Sequence, residues 1–346
     1  MLKFLAYLII PLVLLAGLAR LAIELPMVQD IILKPAVQLI MNQRAEGIPQ
    51  PDALQAYICG SASPLAAPGT AQACVAIMTP QHLFIVDSGA GSTMNLMTGG
   101  LPIQRLQGVL VTHFHSDHIA EIPEVNLNSW VAGRPTPLVV YGPKGVKDIV
   151  SGLNRAYEQD RSYRTTHHGE ALLPPHLGEL QAETIKPGLV LADGDLTITA
   201  YLAEHDPAAP AVGYRFDYRG RSIYVSGDSN VTAETAKATT NLDLLLHDAL
   251  SEPLISTLSA AAYAAGLDRN AKVLADVLDY HAWTSAIAEL NDKQDIGLVG
   301  LYHLVPVPQN LLFERIFMRN LPSNIVLTKD RQWFTLPANT QEIIQH

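Results

Sequence analysis

The feature that most constrains this chain is one short segment, Thr112-His113-Phe114-His115-Ser116-Asp117-His118, which follows the apolar run Val109-Leu110-Val111. Residues two apart in an extended segment point the same way, so His113 and His115 can bind one ion. Asp117 and His118 lie past the turn and can reach a second ion. Imidazole and carboxylate ligands together suit a cation such as zinc. The segment therefore predicts a metal site at the end of a buried strand, and the alternative is a polar loop that binds nothing.

Three more residues of metal-ligand type each follow an apolar, strand-like run. His205 follows 197–202, Asp228 follows 223–227, and His303 follows 298–302. Binding residues concentrate where strands end in loops. A single histidine in such a position would more often be a buried core residue, but the repeated arrangement predicts that these residues complete a site for two ions.

The composition excludes global disorder and argues against a nucleic-acid enzyme. Apolar residues make up 48% of the chain and charged residues only 16%, which is enough for a sizeable core. The formal net charge is −10, and no cluster of Lys and Arg forms the basic face that binds a long polyanion. We therefore expect a small anionic ester as substrate and no nucleic acid as partner, and a homodimer stays open.

Residues 1–25 are predicted to be a signal peptide or a membrane anchor. Lys3 precedes the apolar run 4–19, and Arg20 closes it. A positive residue before such a run is typical of a signal sequence, whereas a full membrane span needs about 20 apolar residues. A buried first helix is the alternative. The expected location is the periplasm, or the inner membrane with the enzyme facing the periplasm.

The rest of the chain is predicted to form a helical linker over 26–50 and one large domain over 51–340, with an insertion at 144–192. Apolar residues recur at helical spacing between Val28 and Ile40. In the large domain strands outnumber helices, and helices mainly follow runs of strands. This pattern favours an α/β fold of two packed sheets with helices on the outer faces rather than a doubly wound parallel sheet.

The chain has two cysteines, Cys59 and Cys74, and the segment between them is rich in Gly, Pro, Ala and Ser. Such a segment can fold back and bring its ends together, and disulfides persist in exported proteins. We therefore predict a disulfide between them. Two free, buried cysteines are the alternative.

Taken together, these elements resemble the metallo-β-lactamase-fold hydrolases over residues 55–310. The matching residues, in chain order, are Asp87, His113, His115, Asp117, His118, His205, Asp228 and His303. The resemblance implies an αββα sandwich with two metal ions. One ion would be held by His113, His115 and His205, the other by Asp117, His118 and His303, and Asp228 would bridge them. Two zinc ions are expected, with iron or manganese as alternatives.

Within that superfamily the chain resembles the branch that contains ribonuclease Z and the zinc-dependent arylsulfatases. His247-Asp248-Ala249 is similar to the His-Glu-Ala segment of the branch, and the segment from Tyr280 to Ser285 is similar to its His-Ser-Thr segment. Finer matches, such as Tyr141-Gly142-Pro143, place the chain closest to the arylsulfatases.

The predicted reaction is hydrolysis of a sulfate or phosphate ester, of arylsulfatase or phosphodiesterase type, by a hydroxide that bridges the two ions. His281 is the candidate general acid, because histidine titrates near neutral pH. Asp117 is predicted to be a catalytic residue as well as a metal ligand. His247 is expected to orient a ligand or the catalytic histidine. Capping or core packing is the alternative for His281, and plain burial for His247.

Three other functions stay open. A ribonuclease Z-like endonuclease that processes tRNA 3′ ends would use the same site, although the acidic balance argues against it. Opening of a lactone or β-lactam would direct the same ions at carbon. A membrane-anchored metal-binding protein without turnover is disfavoured, because a structural zinc site is normally closed by four protein ligands.

Overall fold

A computed structural model describes residues 16–46, 48, 51–65 and 67–346. The chain divides into two compact units, residues 1–49 and residues 50–346. In the first unit residues 16–23 are helical, and helix α1 spans Pro26–Glu46, where the apolar spacing predicts a helix. Residues 1–15, which hold most of the predicted signal or anchor, lie outside the described residues. Among the residues that are described, no helix has both the length and the apolar character needed to cross a membrane.

The second unit is built on two β-sheets. In the described chain the first sheet has eight strands, in the order β15-β14-β1-β2-β3-β4-β5-β6. Its strands are β1 Ala53–Gly60, β2 Cys74–Met78, β3 Leu83–Val86, β4 Gly108–Leu110, β5 Leu138–Gly142, β6 Leu180–Thr184, β14 Trp333–Pro337 and β15 Ile344–Gln345. The described part of the second sheet has seven strands, in the order β13-β12-β11-β10-β9-β8-β7. They are β7 Gly188–Asp193, β8 Leu196–Ala203, β9 Ala211–Tyr218, β10 Arg221–Val225, β11 Leu244–Leu250, β12 Leu298–Val305 and β13 Ile325–Leu327.

Helices connect the strands and cover the outer faces of the sheets. They are α2 Ser92–Thr98, α3 Ser116–Ile119, α4 Ile122–Val131, α5 Val146–Ala156, α6 Glu158–His168, α7 Ala233–Ala238, α8 Glu252–Ala264, α9 Asp268–Asp276, α10 Thr284–Gln294 and α11 Leu311–Phe317. Helix α5 contacts β5 and β6 of the first sheet, and α10 and α11 pack on the second. The predicted α/β fold, an αββα sandwich, is therefore confirmed.

The alternation of side chains along each strand explains why the sheets are held between layers. Leu244 and Leu246 of β11 belong to the core between the two sheets, whereas Leu245 packs on the helices outside. Successive side chains of a strand point to opposite faces, and a strand covered on both faces is mostly apolar. β11 pairs in parallel with β10 and β12 and is buried along its whole length, and its two polar residues, His247 and Asp248, lie after the apolar run 244–246.

The segment 144–192, predicted to be an insertion, does more than extend a loop. It contains the helices α5 and α6. It also supplies β6, an edge strand of the first sheet, and β7, an edge strand of the second. β6 is mostly exposed and polar in sequence, so its pattern does not identify it as a strand.

The disulfide predicted between Cys59 and Cys74 is present and joins the neighbouring strands β1 and β2. We expect its reduction to lower the free energy of unfolding by about 3 kcal/mol, the loop-entropy value for a loop of this length. The measurement is the urea midpoint of unfolding with and without reductant. A C59A/C74A double variant is the control and should not respond to reductant. Equal midpoints for the oxidised and reduced wild type would contradict the prediction.

Candidate metal centre

The sandwich gathers the predicted ligand residues at one edge. Strands β3, β4 and β5 run parallel in the first sheet, and β10, β11 and β12 run parallel in the second. Because parallel strands have their carboxyl ends at the same edge of a sheet, the loops that follow them lie together. The segment after β4 is extended through His115, and Asp117 and His118 lie in the first turn of α3. The two halves of the histidine motif therefore point to different places, as their spacing predicts.

Three imidazoles and one carboxylate form a first group that could hold a metal ion. They are His113, His115, His205 and Asp228, whose ligand atoms all lie within 4.8 Å of one another. His115 Nδ1 is 2.9 Å from His113 Nε2 and 3.3 Å from His205 Nε2. Asp228 Oδ2 is 3.9 Å from His113 Nε2 and 3.7 Å from His205 Nε2. His115 is exposed and the other three are buried, so this group opens to solvent on one side.

A second group, fully buried, shares Asp228 with the first. Its other members are Asp117, His118 and His303. Asp117 Oδ2 is 3.1 Å from His303 Nε2 and 3.4 Å from His118 Nε2. Asp228 Oδ2 is 3.2 Å from His118 Nε2, and its Oδ1 is 3.3 Å from His303 Nε2. The structure thus brings together all seven residues of the predicted metal set.

The distances and hydrogen bonds fit a pair of metal ions. Ligand atoms 2.0–2.1 Å from a zinc ion at tetrahedral angles lie roughly 3.3–3.4 Å apart, within the range seen in both groups. His113 Nδ1 donates to Thr112 Oγ1, 3.1 Å away, and His205 Nδ1 donates to the Tyr280 carbonyl, 3.0 Å away. Both rings therefore turn a lone pair at Nε2 towards His115. His115 Nδ1 carries at most one proton and can donate to only one of these lone pairs, whereas a metal ion would accept all three nitrogens.

Two buried polar atoms of the second group support the same conclusion. His118 Nε2 and Asp228 Oδ1 have no hydrogen-bond partner among the described residues. His118 Nδ1 donates to Asp87 Oδ2, 2.8 Å away, so its Nε2 is the atom left for an ion. A buried polar atom without a partner costs about 1–3 kcal/mol, and coordination removes that cost.

Asp87 and Thr112 hold the ligands in place. Asp87 follows β3 in a left-handed conformation with φ 58°. Its carboxylate accepts from the Thr112 amide and the Thr112 hydroxyl, both at 2.8 Å, in addition to His118. Asp87 belongs to neither metal group, and its hydrogen bonds orient His118 and Thr112.

Two backbone irregularities aim the remaining ligands. Gly227 has φ 63°, and a Cβ there would lie 2.7 Å from the Cβ of Thr112, so only glycine allows Asp228 to approach the histidine loop. His303 does not follow β12 as predicted but lies within it, at a β-bulge opposite Asp248 and Ala249, with φ 44°. A bulge redirects one side chain of a strand, here towards Asp117 and Asp228.

The electrostatics favour cation binding by the first group in particular. Burial lowers the pKa of His113 well below its usual range, and the nearby His118 adds to the effect. Burial also lowers the pKa of His205. Burial opposes ionisation of Asp228, but the imidazoles of His303 and His118 hold the pKa of this carboxyl well below its usual range. Neutral imidazoles and ionised carboxylates are the protonation states that bind metals.

His281 stands beside the two groups and is held by Asp248. His281 Nδ1 donates to Asp248 Oδ2, 3.0 Å away, so its Nε2 is available to the site. Asp228, Asp248 and His281 form a third cluster of ligand-type atoms. The sequence points to Asp248 only through the His247-Asp248-Ala249 match. It does not predict the pair with His281, because the fold brings together two residues that are 33 positions apart.

His247 is fully buried, and its Nδ1 lies 2.9 Å from Asp248 Oδ1. It contacts the carboxylate that holds His281 and is a member of neither metal group. Burial opposes ionisation of Asp248, but hydrogen bonds from His247 and His281 lower the pKa of this carboxyl. His247 therefore supports the Asp248 carboxylate, whose other oxygen holds His281.

A cavity of about 390 Å³ opens onto the metal groups. Its polar wall includes His115, Asp117, His205, Asp228 and His281, and its apolar wall comes largely from residues near α9. A second hollow, of about 710 Å³, lies on the other side of His205 and carries Glu204, Asp206 and Glu234, which suits an anion poorly. Arg164 pairs with Asp160 on α6, and Arg164, His167 and His168 line neither space.

Comparison with known proteins agrees with this geometry. The family model described as "Beta-lactamase superfamily domain" matches residues 85–277. Ribonuclease Z of Mycobacterium bovis (strain BCG / Pasteur 1173P2) is 28% identical over 256 residues, which are 73% of this chain and 86% of that protein.

Solved structures show the same fold. The metallo-β-lactamase fold protein YhfI from Bacillus subtilis matches with a TM-score of 0.59 at 16% identity, over 82% of this chain and 99% of that one. Human tRNase Z, short form, matches with a TM-score of 0.58 at 17% identity, with the same coverage. At these identities the likeness extends to the fold alone.

The similarity to ribonuclease Z corrects three predictions. The expectation that no nucleic acid is a partner is wrong, because it rested on the net charge of the whole chain, whereas a metal site sets its own local field. The predicted location, periplasmic or anchored to the inner membrane, is also contradicted by these relatives. The closer likeness to arylsulfatases finds no support among them.

Proposed function

Because this chain belongs to the β-lactamase superfamily, with the metallo-β-lactamase fold, we propose that it is a metal-dependent phosphodiesterase of the ribonuclease Z type, which cleaves a phosphodiester bond at the 3′ end of an RNA. The observation that carries the proposal is the pair of ligand groups that share Asp228. It is supported by the similarity to ribonuclease Z, which extends over 73% of this chain and 86% of that relative.

In this proposal His113, His115 and His205 would hold one zinc ion, Asp117, His118 and His303 would hold the other, and Asp228 would serve both sets. Iron or manganese would suit the same ligands. When bound, such ions lower the pKa of a water molecule and polarise a phosphoryl oxygen. The seven side chains would fix the positions of both ions beside the cavity.

The local charge of this site explains how an acidic protein can act on RNA. Two divalent ions outweigh the two negative charges of Asp117 and Asp228. The scissile phosphate therefore meets a positive field at the site itself, although the molecule carries a formal net charge of −10. The larger hollow that also borders His205 carries acidic residues, so we expect the protein to contact only a short stretch of RNA around the cleaved bond.

His281 is proposed to protonate the departing oxygen. The bond between phosphorus and that oxygen breaks as the oxygen of a hydroxide ion bonds to phosphorus, and the leaving alkoxide takes the proton from His281 Nε2. The water that supplies the hydroxide has already lost its proton to solvent. Asp248, which accepts from His281 Nδ1, keeps the ring oriented. Asp117 contributes by holding His303 and one ion, and His247 by holding Asp248.

The test is a substrate panel for the full-length, zinc-loaded protein. The panel contains a 3′-extended tRNA precursor, bis-4-nitrophenyl phosphate and 4-nitrophenyl sulfate. We expect release of the 3′ trailer from the precursor and turnover of the phosphodiester. Chelator should abolish both activities, and added zinc should restore them. Hydrolysis of the sulfate ester, with no turnover of either phosphodiester, would contradict the proposal and would support the arylsulfatase activity predicted from the sequence.

A further inference from the structure

The cavity that opens onto the metal groups has two unlike walls. One is polar and carries the proposed ligands and His281, whereas the other is formed by Leu65, Val273, Val277, Tyr280 and Val305. No Lys or Arg of the described chain lines it. A wall meant for phosphate groups would carry cations, so the apolar wall faces an uncharged part of the substrate.

Tyr280 occupies the junction between the two walls. Its carbonyl accepts from Nδ1 of His205, which fixes its backbone against a proposed metal ligand. Its ring centroid lies 5.1 Å from that of His205 and 4.9 Å from that of His281. The ring is partly exposed, and its hydroxyl has no hydrogen-bond partner within the described part of the chain. A held, partly exposed ring beside the reacting groups is available for stacking.

Val273 and Val277 provide an apolar ledge near this ring. They are four residues apart at the end of α9, so they lie on the same helical face one turn apart. Val273 is 50% exposed, whereas Val277 is buried. An exposed valine over a buried one, both lining a cavity, leaves apolar surface that nothing in the described chain covers.

We propose that Tyr280, Val273 and Val277 form a subsite for the nucleobase of the nucleotide whose oxygen departs. The proposal rests on the proposed function, because His281 defines the side on which the leaving group lies and Tyr280 is its neighbour. A nucleobase is flat, uncharged and apolar on its faces, and proteins that bind single-stranded RNA stack unpaired bases on aromatic side chains. Tyr280 is thus a positioning residue for specificity, and it takes no part in proton transfer.

The first experiment measures binding, independently of turnover. Adenosine 3′-monophosphate and its abasic analogue, ribose 3-phosphate, are titrated into the zinc-loaded full-length protein by calorimetry. We expect the base to tighten binding by about 5- to 100-fold, the range for stacking of one base on an aromatic side chain. Tyr280→Leu should remove that gain and leave the affinity for the abasic analogue unchanged. Tyr280→Phe should keep it.

The second experiment measures kcat/KM on a 3′-extended precursor with a normal or an abasic nucleotide on the leaving-group side. Tyr280→Leu should lower kcat/KM for the normal precursor by about 5- to 100-fold and should not change it for the abasic one. Tyr263→Leu is the matched control, since Tyr263 is 72% exposed on α8 and lines no part of the cavity. Metal content should be equal in all variants.

The two proposals fail in different ways. Base-dependent binding that needs Tyr280, in a protein that cleaves no precursor, would support the subsite and overturn the assigned RNA substrate. Equal affinities of the wild type for the nucleotide and its abasic analogue would overturn the subsite, whatever the activity. An equal loss for both ligands in Tyr280→Leu would also overturn it, because damage to His205 would act on both alike.

Discussion

Asp228→Asn is expected to remove at least one metal ion and to lower kcat/KM for the phosphodiester substrates by about 10³-fold or more. Asp228 is the only described residue that belongs to every one of the three clusters of ligand-type atoms. Its two oxygens face histidines of both metal groups: Oδ2 lies 3.7 Å from His205 Nε2 of the first group, and Oδ1 lies 3.3 Å from His303 Nε2 of the second. An amide keeps the shape of the side chain but loses the charge and one acceptor oxygen, so it cannot serve two cations.

The measurements are the metal content of the purified protein by elemental analysis and kcat/KM on the precursor and on bis-4-nitrophenyl phosphate. Asp160→Asn is the matched control. Asp160 pairs with Arg164 on α6, away from the cavity, and its loss should change neither quantity. Circular dichroism establishes that both variants are folded. An Asp228→Asn protein that keeps two ions and activity within a few-fold of wild type would refute the shared-carboxylate assignment.

His281→Ala is expected to reduce cleavage of the RNA precursor by about 10²–10⁴-fold while bis-4-nitrophenyl phosphate turnover falls only a few-fold. The ribose alkoxide is a poor leaving group and needs a proton as it departs, whereas nitrophenolate is stable without one. His281 belongs to neither proposed ligand set, so metal content should hold. Its Nδ1 is fixed by Asp248, which leaves Nε2 to face the cavity.

The contrast between the two leaving groups is what identifies a general acid. His176→Ala, at an exposed histidine in a 3₁₀ turn, is the control and should affect neither substrate. Asp248→Asn should show the same contrast as His281→Ala, because it weakens the hydrogen bond that orients that ring. Equal losses on both substrates would instead mean that His281 supports the metal ions or the fold.

The proximity of the proposed metal ligands is the part of the site that sequence alone predicts well. Four of them stand within six positions, and their local spacing already separates His113 and His115 from Asp117 and His118. The others each follow or end an apolar run, because strands deliver their ends to one edge of a sandwich. Even so, His303 was expected after a strand, and only the bulge in β12 explains how a residue inside a strand reaches the site.

The net charge of the whole chain led to a wrong prediction about nucleic acid. Net charge is a sum over the whole surface and carries no information about the field at one pocket. It therefore excluded nucleic acid wrongly. The export argument for the disulfide failed as well, yet the disulfide is present, because β1 and β2 are neighbouring antiparallel strands that bring Cys59 and Cys74 together.

The sequence by itself determined which residues have the chemistry to bind metal and the two-sheet class of the fold, since both depend on local spacing and strand periodicity. Only the tertiary structure decided which groups act together. Asp248 meets His281, Tyr280 meets His205, and Val273 joins the cavity wall through contacts between distant elements. Such pairings depend on how strands and helices pack, and no local pattern of residues contains that information.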